Sequence, residues 1–222
     1  MELSRLFQDR QTAGAQLAEL IAREQPINPI VYGIPRGGLL VAAPVAQRLA
    51  CPLDVAIAKK ITLPHNSELA LGAITPNRHI LRQDRPEVSN CQEWTDAVQR
   101  AHQKACDLLQ AFLPIRPQLA INGATAILVD DGIATGATIA AIASEMRTLP
   151  YQAIWIAAPV APMGMSTLLL SKAKKIVLLA EPTMFGSVSS FYNHFPEVTT
   201  SEALACMQAV NLLSTLHNPA NQ

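Results

Sequence analysis

Excess charge of either sign is missing from this chain. Its 222 residues carry 17 Lys+Arg against 17 Asp+Glu. A general nucleic-acid surface needs a basic excess, so nucleic-acid partners are not expected. A local basic site for a phosphate or diphosphate stays compatible with that balance. Cysteine is scarce: Cys51, Cys91, Cys106 and Cys206, with no C-x-x-C pair among them. No signal-peptide pattern precedes them, so they read as reduced, mostly buried thiols of a cytoplasmic protein. No apolar run is long enough to span a bilayer, and no membrane contact is expected. Internal repeats and low-complexity tracts are lacking too. His and Cys do not fall at metal-site spacing. Neither a Walker A loop nor a dinucleotide fingerprint is present.

What is present is a half-hydrophobic chain, 50% by composition, of a length for one domain with at most a small appendage. Its most informative stretch is residues 127–138, Ile-Leu-Val-Asp-Asp-Gly-Ile-Ala-Thr-Gly-Ala-Thr. A short apolar run from Ala126 to Val129 stops at two acids, Asp130 and Asp131. A small-residue loop from Gly132 to Ala137 follows. Ile139, Ile142, Ala143 and Met146 then recur at helical spacing. The pattern predicts a buried strand, an acidic strand end, a tight loop and a helix. Backbone N–H groups at such a helix start lack internal partners and point toward any anion placed there. Gly136 permits close approach of a ligand. Thr135 and Thr138 add hydroxyl donors. Carboxylates beside a phosphate cradle suit a sugar phosphate. Turn chemistry alone explains Asp, Gly and Thr singly, but not two adjacent acids followed by Thr-Gly-Ala-Thr.

A second strand–loop–helix lies earlier. Ile30 to Ile34 is β-like, Pro35-Arg36-Gly37-Gly38 forms a loop, and a helix runs from Leu39 to Leu49. Arg36 on a glycine-flanked loop can hold phosphate oxygens in a bidentate fork. The same loop also reads as an ordinary tight turn.

Elsewhere, residues 9–24 predict an amphipathic helix with Ala13, Leu17, Leu20 and Ile21 on its apolar face and Arg10 mostly off it. Leu53 to Ala58 predicts a strand. Lys59 and Lys60 open a long loop through Leu71. Gly72–Thr75 and Arg78–Leu81 pair as a hairpin around Pro76-Asn77. The lysines read equally as a solvated pair or as neutralisers of a diphosphate, and His65 reads as exposed. Residues 83–90 are expected to be irregular and 93–112 a long helix. Strands at 153–158 and 175–180 flank a helix at 163–174, and 201–216 closes the chain. Strands alternating with helices predict an α/β fold, an open and mainly parallel sheet covered on both faces. Right-handed crossovers then place both loops on one edge, where ligands of such sheets bind.

The stretch 127–138 resembles the phosphoribosyl-diphosphate (PRPP) motif of the type I phosphoribosyltransferases, and the loop at 35–38 resembles their diphosphate loop. The segment Glu68–Ala73 looks like a subgroup of undefined acceptor. The resemblance implies a core over 1–182 with a lid hairpin at about 59–82, and a C-terminal hood over 183–222. It implies transfer of the 5-phosphoribosyl group from PRPP to a nitrogenous base, with release of diphosphate. Asp130 and Asp131 would grip the ribose hydroxyls and hold Mg²⁺, through water if not directly. Gly132, Ala134, Thr135, Gly136, Ala137 and Thr138 would hold the 5′-phosphate. Arg36, Gly37 and Gly38 would meet the diphosphate, with a strained or cis peptide at Pro35–Arg36, and Lys60 would join the PRPP site. Phe185 or Tyr192 would stack on the base, or else simply close the core as part of an aromatic cluster. Members of the family often form homodimers. Ala134 stands where the 6-oxopurine enzymes carry an acid, so an acid–base partner for such a base is missing there. The alternatives are a non-catalytic PRPP- or nucleotide-binding regulator and, further off, a Mg²⁺-dependent phosphohydrolase.

Overall fold

A computed structural model describes residues 5–63, 66–82 and 91–217. Five strands form one parallel sheet in the order β2-β1-β6-β7-β8. They are β1 (Pro29–Gly33), β2 (Leu53–Val55), β6 (Thr125–Val129), β7 (Ala153–Val160) and β8 (Lys175–Ala180). Strand period sorts their side chains between two cores. Val31, Ile127, Val129, Trp155 and Ala157 face α1 (Arg10–Arg23), α2 (Gly37–Leu49) and α6 (Thr200–His217). Ile30, Tyr32, Ala126, Leu128, Ile154 and Ile156 face the other way, toward α4 (Ala137–Met146) and α5 (Met165–Leu169). Burial on both faces is why these strands read as continuous apolar runs. The structure thus bears out the mainly parallel α/β fold.

A second, antiparallel sheet of three strands stands beside the first: β3 (Lys59–Leu63), β4 (Asn66–Ile74) and β5 (Ile80–Arg82), in that order. The hairpin around Pro76-Asn77 is β4–β5. The expected loop from Ile61 onward is instead largely strand. Ile61, Leu63, Leu71 and Ile74 pack with Ala97 and Ala101 of α3 (Cys91–Phe112), and this burial holds β3 against β4. Irregular register between Ile61 and Leu63 disguises the period-2 pattern. The expected positions of His65 and of residues 83–90 lie outside the described residues.

Helix α5 is shorter than the periodicity predicts. Gly164 begins it at φ 85°, and Leu168 and Leu170 are left exposed, so no apolar stripe extends it. Helix α6 does not stand apart from the core. Ala203, Met207 and Val210 are buried with α1 and α2, and the Asn211 side chain bonds the Leu53 backbone at both N–H and carbonyl. Cys51, Cys106 and Cys206 are free thiols. Among the described residues no helix is long and apolar enough to cross a membrane.

Candidate active site at the C-terminal edge of the sheet

Two loops meet where β1 and β6 end. The loop after β6 is stitched to β7 at two points. The Asp130 N–H donates to the Ala157 carbonyl at 3.2 Å and the Ile133 N–H to the Val160 carbonyl at 2.9 Å. Beyond Ile133 the chain is unstitched. The amides of Ala134, Thr135 and Gly136 make no hydrogen bond to the described residues, and Ala134 and Thr135 are exposed. Gly136 then turns the chain into α4 with φ 71°, a conformation other residues adopt at a cost. Residues 132–139 line a cavity of about 120 Å³ together with Asp130 and Lys60. The free amides and the start of α4 make this cavity a ready acceptor for an anion.

The loop after β1 packs directly on the acids. Its Pro35–Arg36 peptide is cis. The Ile34 N–H donates to the Val129 carbonyl at 2.9 Å, tying the two strand ends together. At Gly37 a Cβ would lie 2.0 Å from Asp131 Oδ2, and at Gly38 one would lie 3.0 Å from Asp130 Oδ1. A side chain at Gly37 would displace Asp131, and one at Gly38 would press first on the Val129 carbonyl oxygen, at 2.8 Å, and then on Asp130. Arg36 touches neither acid. Its Nη2 donates to the exposed Glu197 carboxylate, and Arg36, Arg10, Gly37 and residues 195–198 enclose a cavity of about 360 Å³. Such an exposed ion pair is weak and open to competition from a phosphate. The β3 pleat sends Lys59 and Lys60 to opposite faces. Lys60 joins the amide cavity. Burial, then the charges of Arg36 and Lys104, lower the pKa of the half-buried Lys59 ammonium.

The two acids sit in different environments. Burial and then the neighbouring Asp131 charge push the Asp130 carboxyl well above its ordinary range, against the pull of the Asp131 N–H, Arg10 and Lys60. Burial also raises Asp131, but its hydrogen bond to Arg10 opposes the rise. Both carboxyls are thus held above their ordinary range, Asp130 with no side-chain partner among the described residues to offset its burial and Asp131 with Arg10. Among the described residues no group of three His, Cys, Asp or Glu side chains is placed to hold a metal unaided. Hard carboxylate oxygens beside an anion cradle fit a cation shared with substrate oxygens, the usual habit of Mg²⁺.

Two expectations are corrected here. Arg10 is not on the solvent side of α1. It is 7% exposed, and its Nε donates to Asp131 Oδ2 at 2.7 Å. The signal was available, because Ala13, Gly14 and Leu17 lie three, four and seven residues on and share its face. Tyr192 does not offer a free ring to a base. It is 3% exposed, packed between Phe7 and Phe195 at centroid distances of 5.3 and 4.8 Å. Its hydroxyl donates to the Asp131 carbonyl at 2.6 Å. Phe185 is half-buried against Phe191 at 5.2 Å.

One edge of the parallel sheet thus brings together an acid pair, a row of amides without hydrogen-bond partners among the described residues, and a glycine–arginine loop. The family model described as "Phosphoribosyl transferase domain" matches residues 7–193, and the chain belongs to that family. Two Mycobacterium tuberculosis proteins, each named a "putative phosphoribosyl transferase", are 34% identical to it over 206 residues. That match covers 90% of this chain and 46% of each relative, so the chain spans about half their length. The crystal structure of TT1426 from Thermus thermophilus superposes with a TM-score of 0.78 at 33% identity, covering 92% of this chain and 98% of that one.

Proposed function

We propose that this protein transfers the 5-phosphoribosyl group from PRPP to a nitrogenous base and releases diphosphate. The observation that carries the reading is the meeting, at one sheet edge, of free amides at residues 134–136, the acid pair and the Arg36-Gly37-Gly38 loop. The amides of Ala134, Thr135 and Gly136, the hydroxyls of Thr135 and Thr138, and Lys60 receive the 5′-phosphate. Asp130 and Asp131 accept hydrogen bonds from the ribose hydroxyls. Lys60 shares the amide cavity, which supports a role at the 5′-phosphate rather than at the diphosphate. Arg36, freed from Glu197, and Lys59 receive the diphosphate, which approaches over Gly37 and Gly38.

In the transfer a base nitrogen forms a bond to the anomeric carbon as the bond to diphosphate breaks. Positive charge develops on the ribose ring and negative charge on the leaving oxygen. Cationic groups held at the leaving group stabilise that change. Asp130 and the substrate oxygens supply the ligands Mg²⁺ prefers, and bound Mg²⁺ would neutralise diphosphate charge. The acceptor stays at the level of class. Ala134 argues against a 6-oxopurine that needs an acid beside it.

The test is diphosphate release from PRPP and Mg²⁺ across a panel of bases, together with calorimetry of PRPP alone. PRPP binding with turnover of at least one base is expected. Failure to bind PRPP would overturn the reading, and tight binding with no turnover of any base would favour a regulator over an enzyme.

A further inference from the structure

The acid pair is supported from outside the loop that bears it. Arg10, the first residue of α1, makes three directed contacts with its guanidinium. Nε donates to Asp131 Oδ2 at 2.7 Å, Nη1 donates to the Pro196 carbonyl at 2.8 Å, and the guanidinium carbon lies 3.5 Å from the centre of the Phe195 ring. A planar guanidinium has donors on its edges and apolar faces. Here one edge holds the acid, another holds the backbone of the C-terminal segment, and a face rests on an aromatic ring.

The placement is determined by the fold around it. Asp9 caps α1 by accepting from the Thr12 N–H at 2.7 Å, which sets where the helix begins. One turn after Arg10, Gly14 lies so close to α2 that a Cβ there would be 2.5 Å from the Val41 carbonyl oxygen. Helix α1 is thereby seated at one height along α2, and Arg10 reaches the edge where β6 ends. On the far side, Phe195 and Pro196 are followed directly by Glu197, the partner of Arg36. A continuous line of contacts therefore runs from Asp131 through Arg10 and residues 195–197 to Arg36.

Burying an arginine is costly unless its partners are in place. Packing alone would need no charge at this point, and the charge is aimed at the second acid of the motif. No other described residue donates a hydrogen bond to Asp131 Oδ1, so the bond from Arg10 to Oδ2 leaves that oxygen available. We propose that Arg10 is a positioning residue of the transfer reaction. It fixes the Asp131 carboxylate so that one oxygen faces the ribose, and it ties that aim to the segment bearing Glu197. This inference rests on the phosphoribosyl-transfer reading above.

A double-mutant cycle on PRPP affinity tests it, using Arg10→Ala, Asp131→Asn and the pair together in the full chain, with KM and kcat followed for an accepted base. Arg10→Ala is expected to weaken PRPP binding about tenfold or more, the scale of a lost charge-assisted hydrogen bond. Its effect falls mainly on KM for PRPP. Arg10→Lys does not restore affinity, because one ammonium cannot hold Asp131 and the Pro196 carbonyl in the same fork. In the Asp131→Asn background Arg10→Ala adds less than about twofold, since the group it positions is already gone. Equal losses in both backgrounds, or wild-type affinity in Arg10→Ala, would overturn the proposal. Should Arg10→Ala fail to fold, Arg10→Gln carries the same cycle. A wild-type chain that does not bind PRPP sinks the functional reading and this inference with it. Normal wild-type binding with an unaffected or merely additive Arg10 variant sinks the inference alone.

Discussion

The Tyr192 hydroxyl donates to the Asp131 carbonyl across 61 residues of sequence at 2.6 Å. That bond makes the C-terminal aromatic cluster a brace for the acid loop. Tyr192→Phe keeps the ring and deletes the donor. The expected cost is about 1 kcal/mol, the net worth of one such bond, and a melting point lower by roughly 2–4 °C for a chain of this size. Thermal unfolding followed by circular dichroism checks it. An unchanged melting point would mean that the hydroxyl contributes nothing to the fold.

Gly37 sits against the acid pair with no room for a side chain. Gly37→Ala places a methyl group 2.0 Å from the present position of Asp131 Oδ2 and 2.9 Å from Arg10 Nε. Either the loop or the acid must shift. PRPP affinity should fall by about tenfold or more, as for loss of a well-aimed polar contact. Gly186→Ala adds the same methyl group into open space and should bind PRPP as the wild type does. Titration calorimetry of both variants makes the comparison.

Asp130 supplies a pH signature. Its folded pKa lies well above the ordinary 3.8, first through burial and then through the charge of Asp131. Between those two values the folded chain binds a proton that the unfolded chain has lost. Its contribution to stability is therefore full below about pH 3.8 and fades as pH rises through the folded value. Asp130→Asn removes the dependence. The variant should melt higher than the wild type at neutral pH, with the gap closing as the pH is brought down into the ordinary carboxylate range. A gap that stays constant with pH would show that Asp130 is not burdened by its surroundings. The same variant should bind PRPP more weakly, so stability and affinity move in opposite directions.

Much of this architecture was legible before any coordinates. Strands such as Thr125–Val129 are buried on both faces, so they appear as unbroken apolar runs that local reading finds easily. Asp130 to Thr138 is contiguous, and its chemistry lies in neighbouring residues. The loop at Arg36 is likewise local, and only its meeting with the acids had to come from topology. What escaped was non-local. Ile61 and Leu63 became strand because α3 covers them, a partner some 30 residues or more away in sequence. Arg10 looked like a solvent-facing helix residue because a charge is normally found there. Its acid lies 121 residues downstream. Tyr192 carried both an aromatic face and a donor, and nothing local said that the donor would be used inward.

The bond from Arg10 to Pro196 spans 186 residues. On a ribosome the second partner emerges about ten to forty seconds after the first, at ordinary elongation rates. All five parallel strands are complete by Ala180, so the scaffold can assemble while the grip on Asp131 is still unfinished. The contacts that brace Asp131 are thus completed only after the sheet that carries it.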